Sequence, residues 1–211
     1  MKIFPTLLFL LVLCAGEVCR ADEQAEAVLR EVNMARMHPR EYALILAAQQ
    51  GNAQGGRSPY SEAINFLNHT RPLPPLAFSN GLSMGAMAQV LGQGETGATG
   101  HFGDDHSSPW DRMKRFGRWL GTAGENISYG IANPRQIVVS LIVDANVGNR
   151  GHRRNIFSRD FGVAGVACGP HARYGTMCVM DFAGAFVEKE GYSASQEKPA
   201  VVADGLRDSR G

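Results

Sequence analysis

Residues 163–182 read VAGVACGPHARYGTMCVMDF, and the rest of the chain is best read outward from them. Val163 to Cys168 and Thr176 to Phe182 are β-prone runs, separated by the turn formers Gly169-Pro170 and Arg173-Tyr174-Gly175. The spacing predicts an antiparallel hairpin centred near Arg173, with Cys168 opposite Cys178 and within bridging distance. Upstream, helical signals dominate. Val28, Leu29, Val32 and Met34 fall at helical spacing within Ala25 to Met37, the pattern stops before Pro39, and Glu41 to Gln49 resumes it. A short helix is expected around Ser61 to Leu67, and Arg71-Pro72-Leu73-Pro74-Pro75 reads as an extended connector. Ser79 is placed to cap a helix running to about Gln93. Ser108-Pro109-Trp110-Asp111 combines a capping serine, proline at the first helical position and an acid three residues on, so a helix should reach Phe116. Asn133-Pro134 opens another through Val147, and Glu125 to Tyr129 is the remaining strand candidate. Helices first, a few strands late and no βαβ alternation point to an α+β single domain.

Composition fits a globular chain and little else. The 211 residues are 44% apolar and 19% charged with a formal charge of +1, which argues against disordered, collagen-like or coiled-coil chains. A pI near 7.7 gives no general affinity for nucleic acid or acidic membranes. Residues 1–21, MKIFPTLLFLLVLCAGEVCRA, read as a secretory signal, with Lys2 ahead of an apolar run from Leu7 to Leu13 and small residues near Ala21. The run is too short to span a bilayer, and no later segment is long and apolar enough. Leu13 is bulky where lipoprotein processing at Cys14 would want a small residue. Cleavage after Ala21 would remove Lys2, Arg20 and Glu17 and bring basic and acidic counts level. It would also remove Cys14 and Cys19, leaving Cys168 and Cys178 to form one disulfide in an exported protein. The expected organisation is a signal over 1–21, one domain over 22–187 and a polar, patternless tail over 188–211.

Two carboxylates are directed inward by periodicity. Ile137, Leu141 and Asp144 recur at i, i+4 and i+7 in the helix expected after Pro134. Alternation sets Glu125 on one strand face with Ile127 and Tyr129. A carboxylate on an apolar face needs a partner, a metal or a raised pKa, unless it lies at an element end that water reaches. Of the six histidines, His38 and His69 read as surface residues. His101 and His106 share a glycine-bearing segment with Asp104 and Asp105, and His152 follows Asp144 by eight residues, flanked by Arg150, Arg153 and Arg154. Such clusters suit a metal, although the spacing matches no standard zinc signature. The arginines could grip an anion, or simply belong to a solvated helix start.

Two enzymatic motifs are set aside. Gly81-Leu82-Ser83-Met84-Gly85 fits the nucleophile-elbow pattern, with Asp144 and His152 following in hydrolase order. The elbow requires a strand running into the serine, whereas here a proline-rich connector and a helix cap precede it, placing Ser83 inside a helix. A Cys168 nucleophile served by His171 would need an electropositive setting that the sequence does not provide.

Taken in order, Val32-Asn33-x-x-Arg36-x-x-Pro39, Leu73-Pro74-Pro75-Leu76, Gly100-His101, Gly124-Glu125-Asn126-Ile127, Asp144 and Gly151-His152-Arg153-x-Asn155-Ile156 form a set. The set resembles the CAP superfamily of cysteine-rich secretory, antigen five and pathogenesis-related class 1 proteins, and is most similar to its bacterial SCP-domain branch. The resemblance spans about residues 25–187. It implies a three-layer α-β-α sandwich with a mainly antiparallel sheet and a cleft holding His101, Glu125, Asp144 and His152. Choosing His101 over His106 follows from the resemblance. In relatives the two histidines can hold a divalent ion, often zinc, with the acids supporting them. Asp144 is one methylene shorter than the usual Glu, the histidine segment reads Gly-His-Arg-Arg-Asn, and no cysteine-rich module follows. Channel, toxin and sterol roles therefore do not transfer.

Three functions follow from this reading. The favoured one is a secreted or periplasmic binding module that holds a divalent ion, zinc first, at His101 and His152 and meets an extracellular or envelope lipid or protein. The second is a metal-dependent hydrolase with Glu125 as base and Arg150 and Arg153 orienting an anion. The third is a structural polar hub, with partners bound elsewhere. The first is preferred because fold does not fix activity.

Overall fold

The computed structural model describes residues 23–50 and 58–191. The expected signal, and the tail beyond residue 191, lie outside the described residues. Helix α1 spans residues 23–37, and α2 (Pro39–Gln50) follows after a single break at His38. Helix α3 (Pro59–His69) is capped by Ser58, and the connector leads to a two-residue strand β1 (Ala77–Phe78). Ser79 caps α4 (Asn80–Thr96) and the Ser108–Asp111 capping box opens α5 (Pro109–Phe116). Strand β2 (Gly117–Tyr129) precedes α6 (Pro134–Val143) and the short α7 (Gly151–Ile156), and β3 (Val163–His171) and β4 (Gly175–Glu188) form the hairpin.

The sheet has order β1-β3-β4-β2. It is mixed: β1 runs parallel to β3 for two residues, and the other pairs are antiparallel. Alternation sorts the strand residues onto two faces. Ala164, Val166, Cys168, Cys178, Met180 and Phe182 join a core with residues of α1, α2, α3, α6 and α7. Ala167, Met177, Val179 and Ile127 pack on Ala86 and Val90 of α4, and Ala183 packs on Leu82 and Met113. Helices therefore cover both faces, giving the three-layer α-β-α arrangement.

Cys168 and Cys178 are direct partners across β3 and β4 and form a disulfide, as the hairpin register requires. Two expectations need correction. Strand β2 begins at Gly117, well before Glu125: Gly117 to Leu120 already pair with β4, and a register shift between Leu120 and Ala123 interrupts the alternation before Glu125. Helix α6 ends at Val143 rather than Val147, with Asp144 as its left-handed cap at φ 52°. Asp144 is nevertheless buried at 4% exposure, through a helix end rather than a helix face. Ser83 lies inside α4, where its hydroxyl accepts from the Val166 N–H at 3.1 Å, so no elbow exists.

Candidate functional site

Glu125 lies on the α4/α5 face of β2, on the side that Ile127 and Tyr129 share. Each of its carboxylate oxygens has a partner. Oε2 accepts from Arg112 Nη2 at 2.6 Å and Oε1 faces His101 Nδ1 at 2.7 Å. Arg112 reaches it from α5, buried at 1%, while its Nη1 donates to the carbonyls of His101 and Ser107.

The loop carrying His101 is tied down atom by atom. Gly97 ends α4 in the left-handed region at φ 71°, and Gly100 follows at φ 105°, a geometry that favours glycine. The buried amides of Gln89 and Gln93 donate to the carbonyls of Gly100 and Phe102. Tyr129 Oη accepts from Gly100 N and donates to Gln93 Oε1. The main chain around His101 is thus anchored, and its side chain remains 51% exposed. Among the described residues no such carboxylate contact holds His106, whose backbone bends at φ 61°.

The second pair joins the C-terminal cap of α6 to the first turn of α7. Asp144 Oδ1 faces His152 Nδ1 at 2.8 Å, and Oδ2 accepts the His152 N–H at 3.0 Å. The carboxylate thereby satisfies a backbone donor at the start of α7, where helices leave such groups unpaired. Asn126 Nδ2 donates to the His152 carbonyl, and Asn155 Nδ2 donates to Asn126 Oδ1 and to the Glu125 carbonyl. These amides clip α7 to β2 beside Glu125.

A carboxylate is an acceptor only, so each histidine donates from Nδ1, and in the neutral imidazole the lone pair then lies on Nε2. Among the described residues no cluster of three His, Cys, Asp or Glu side chains is arranged to hold a metal. The two Nε2 atoms are the donors that such a site could use, and the acids stand behind them.

Arg150 and Arg153 are engaged elsewhere. Arg150 donates to both oxygens of Glu62 and to the Asp144 and Val147 carbonyls. Arg153 donates to Glu62 and to the carbonyls of Ile142 and Val143. Any anion at these guanidiniums must compete with Glu62. Sequence reasoning missed Arg112, Asp181, Gln89 and Gln93. The first two had a signal: Arg112 shares a helical stripe with the buried Pro109 and Met113, and Asp181 interrupts the alternation Met177, Val179, Ala183.

The model of the cysteine-rich secretory protein family, CAP, matches residues 29–182. The chain is 33% identical over 105 residues to the uncharacterised protein YkwD of Bacillus subtilis, covering 50% of this chain and 39% of that one. Three solved bacterial structures are similar. An extracellular SCP-domain protein of Bacillus anthracis is 20% identical, with TM-score 0.43, covering 59% of this chain and 38% of its own. An outer surface protein of Borrelia burgdorferi is 19% identical, with TM-score 0.45, covering 62% and 90%. A cysteine-rich secretory protein of Staphylococcus aureus is 13% identical, with TM-score 0.46, covering 78% and 39%. With the family model matched from 29 to 182, most of its length, the chain belongs to the cysteine-rich secretory protein (CAP) family.

Proposed function

We propose that this domain is an exported binding module whose His101 and His152 hold a divalent ion, zinc first, for an extracellular or envelope partner. One observation carries the reading: both imidazoles are fixed through Nδ1 on buried carboxylates, which orients each Nε2 lone pair for a ligand. That carboxylate–histidine arrangement is the usual support behind zinc ligands. Two imidazole nitrogens, with no third protein donor arranged beside them among the described residues, suit weak, exchangeable binding. The bound ion would supply a Lewis-acidic centre with water or a partner's group completing its coordination. The Cys168–Cys178 disulfide suits an oxidising compartment, in keeping with export. A hydrolase using Glu125 as base has less support, because both its oxygens already serve Arg112 and His101 and its side chain is 1% exposed.

Calorimetric titration with zinc tests the reading. Wild type should bind, and His101→Ala or His152→Ala should each weaken binding by about tenfold or more, equal to about 1.4 kcal/mol. An absence of binding in wild type would leave the structural hub as the account. Zinc-dependent turnover on an ester, peptide and phosphodiester panel, lost in Glu125→Gln, would replace the binding module with the hydrolase.

A further inference from the structure

Asp181 is a buried acid that the His–acid pairs do not use. It is 0% exposed and lies directly opposite Glu125 in the β2–β4 register. Among the described residues neither of its oxygens receives an N–H or hydroxyl donor. Helix α4 presses on it through Gly85, where an added Cβ would lie 3.0 Å from Asp181 Oδ2, and β3 presents only Gly165 as its register partner. The charged groups facing it are Glu125 from β2 and Arg112 from α5. The Arg112 guanidinium already pairs with Glu125 at 2.6 Å. One cation and two ionised carboxylates would leave a net negative charge in the buried core, which is strongly unfavourable. One added proton makes the group neutral and turns an acceptor facing an acceptor into a hydrogen bond.

We propose that Asp181 keeps its proton in the folded protein and donates it to Glu125, acting as a positioning residue that holds the Glu125 carboxylate against Arg112 and His101. Burial first, and then the Glu125 charge, push the Asp181 carboxyl well above the ordinary carboxylate range, with Arg112 opposing. The proposal deepens the ion-site reading by naming what fixes the first acid. It rests on the geometry of the His101–Glu125 pair, not on a bound ion.

The test uses metal-free full-length protein, so its outcome is independent of zinc binding. At neutral pH the infrared spectrum should contain a protonated-carboxyl band that shifts on ¹³C-aspartate labelling and disappears in Asp181→Asn. The amide of that variant still donates to Glu125 but has no proton to lose. The sign of the linked stability effect is fixed. A folded pKa raised above the unfolded value of about 3.9 gives stability that is complete below it and lost as pH rises towards the folded pKa. Denaturant unfolding should therefore show Asp181→Asn gaining on wild type as pH rises from about 4 to about 8. A wild-type spectrum without a labelled protonated band overturns the proposal, and so does a stability difference that is flat or falls with pH. If Asp181→Asn fails to fold, the isotope-shifted wild-type band decides alone.

Discussion

Glu62 shows how one side chain can govern the approach to a site it does not touch. From α3 it accepts from Arg150 Nη2 at 2.6 Å and from Arg153 Nη1 at 2.9 Å. Hydrogen bonding by Arg150 chiefly, with Arg153 adding to it, pulls its carboxyl down to about 2. Arg150 itself sits at φ 52°, immediately before α7, so Glu62 holds a left-handed residue two positions ahead of His152. Removing the charge by Glu62→Gln should cost of the order of 1 kcal/mol at neutral pH, a modest figure because the carboxylate is half exposed. A depressed folded pKa contributes stability above the unfolded value of about 4.3, lost as pH falls towards the folded one. Urea unfolding of both proteins should therefore converge between about pH 4 and pH 2. A gap that stays constant across that range would show that the ion pair does not link α3 to α7.

Between elements, α4 lies tightly against β3 at Gly165. An added Cβ at Gly165 would lie 2.1 Å from Ser83 N and 2.3 Å from Leu82 C, which are backbone atoms that cannot rotate away. Gly165→Ala should therefore destabilise at or beyond the upper end of the 1–3 kcal/mol typical of overpacking, about 3 kcal/mol or more. A chemical-denaturation midpoint like that of wild type would contradict the close packing of these two layers. Such contacts also mark where sequence reading succeeds and stops. Ser79, Ser108 and Asn133 announce helix starts because capping is a local hydrogen bond, and Cys168 and Cys178 fall opposite one another because a hairpin is local too. The end of α6 is not local. The apolar spacing runs on past Val143, but Asp144 leaves the helix to accept from His152 eight residues later. Its burial was legible and its geometry was not. Glu125 was legible from strand alternation, whereas Arg112 and Asp181 acquire meaning only when α5 and β4 bring them to that strand.

At the scale of the whole molecule, the first helix is fastened by a cation that has no carboxylate partner among the described residues. Arg36, 1% exposed, donates to the carbonyls of Pro74, Ile156, Ser158 and Phe161. Its neighbour Asn33 completes the seam by exchanging two hydrogen bonds with the Leu76 backbone. One turn of α1 thus joins the proline connector, the end of α7 and the segment entering β3. This gives a physical reason for the spacing Asn33-x-x-Arg36: two residues of one helix face satisfy carbonyls that irregular chain would otherwise bury unpaired. Lysine keeps the charge but cannot reproduce the planar fork, so Arg36→Lys leaves several of these carbonyls without donors. Buried unsatisfied groups cost about 1–3 kcal/mol each, so a loss of at least about 3 kcal/mol is expected. For a chain of this size that is a fall in Tm of about 6–12 °C, measurable by calorimetry. Zinc titration of the same variant below its Tm should match wild type, because none of the groups that Arg36 touches belongs to either His–acid pair. A fall in zinc affinity with Tm unchanged would contradict this separation and make Arg36 part of the site instead of part of the frame.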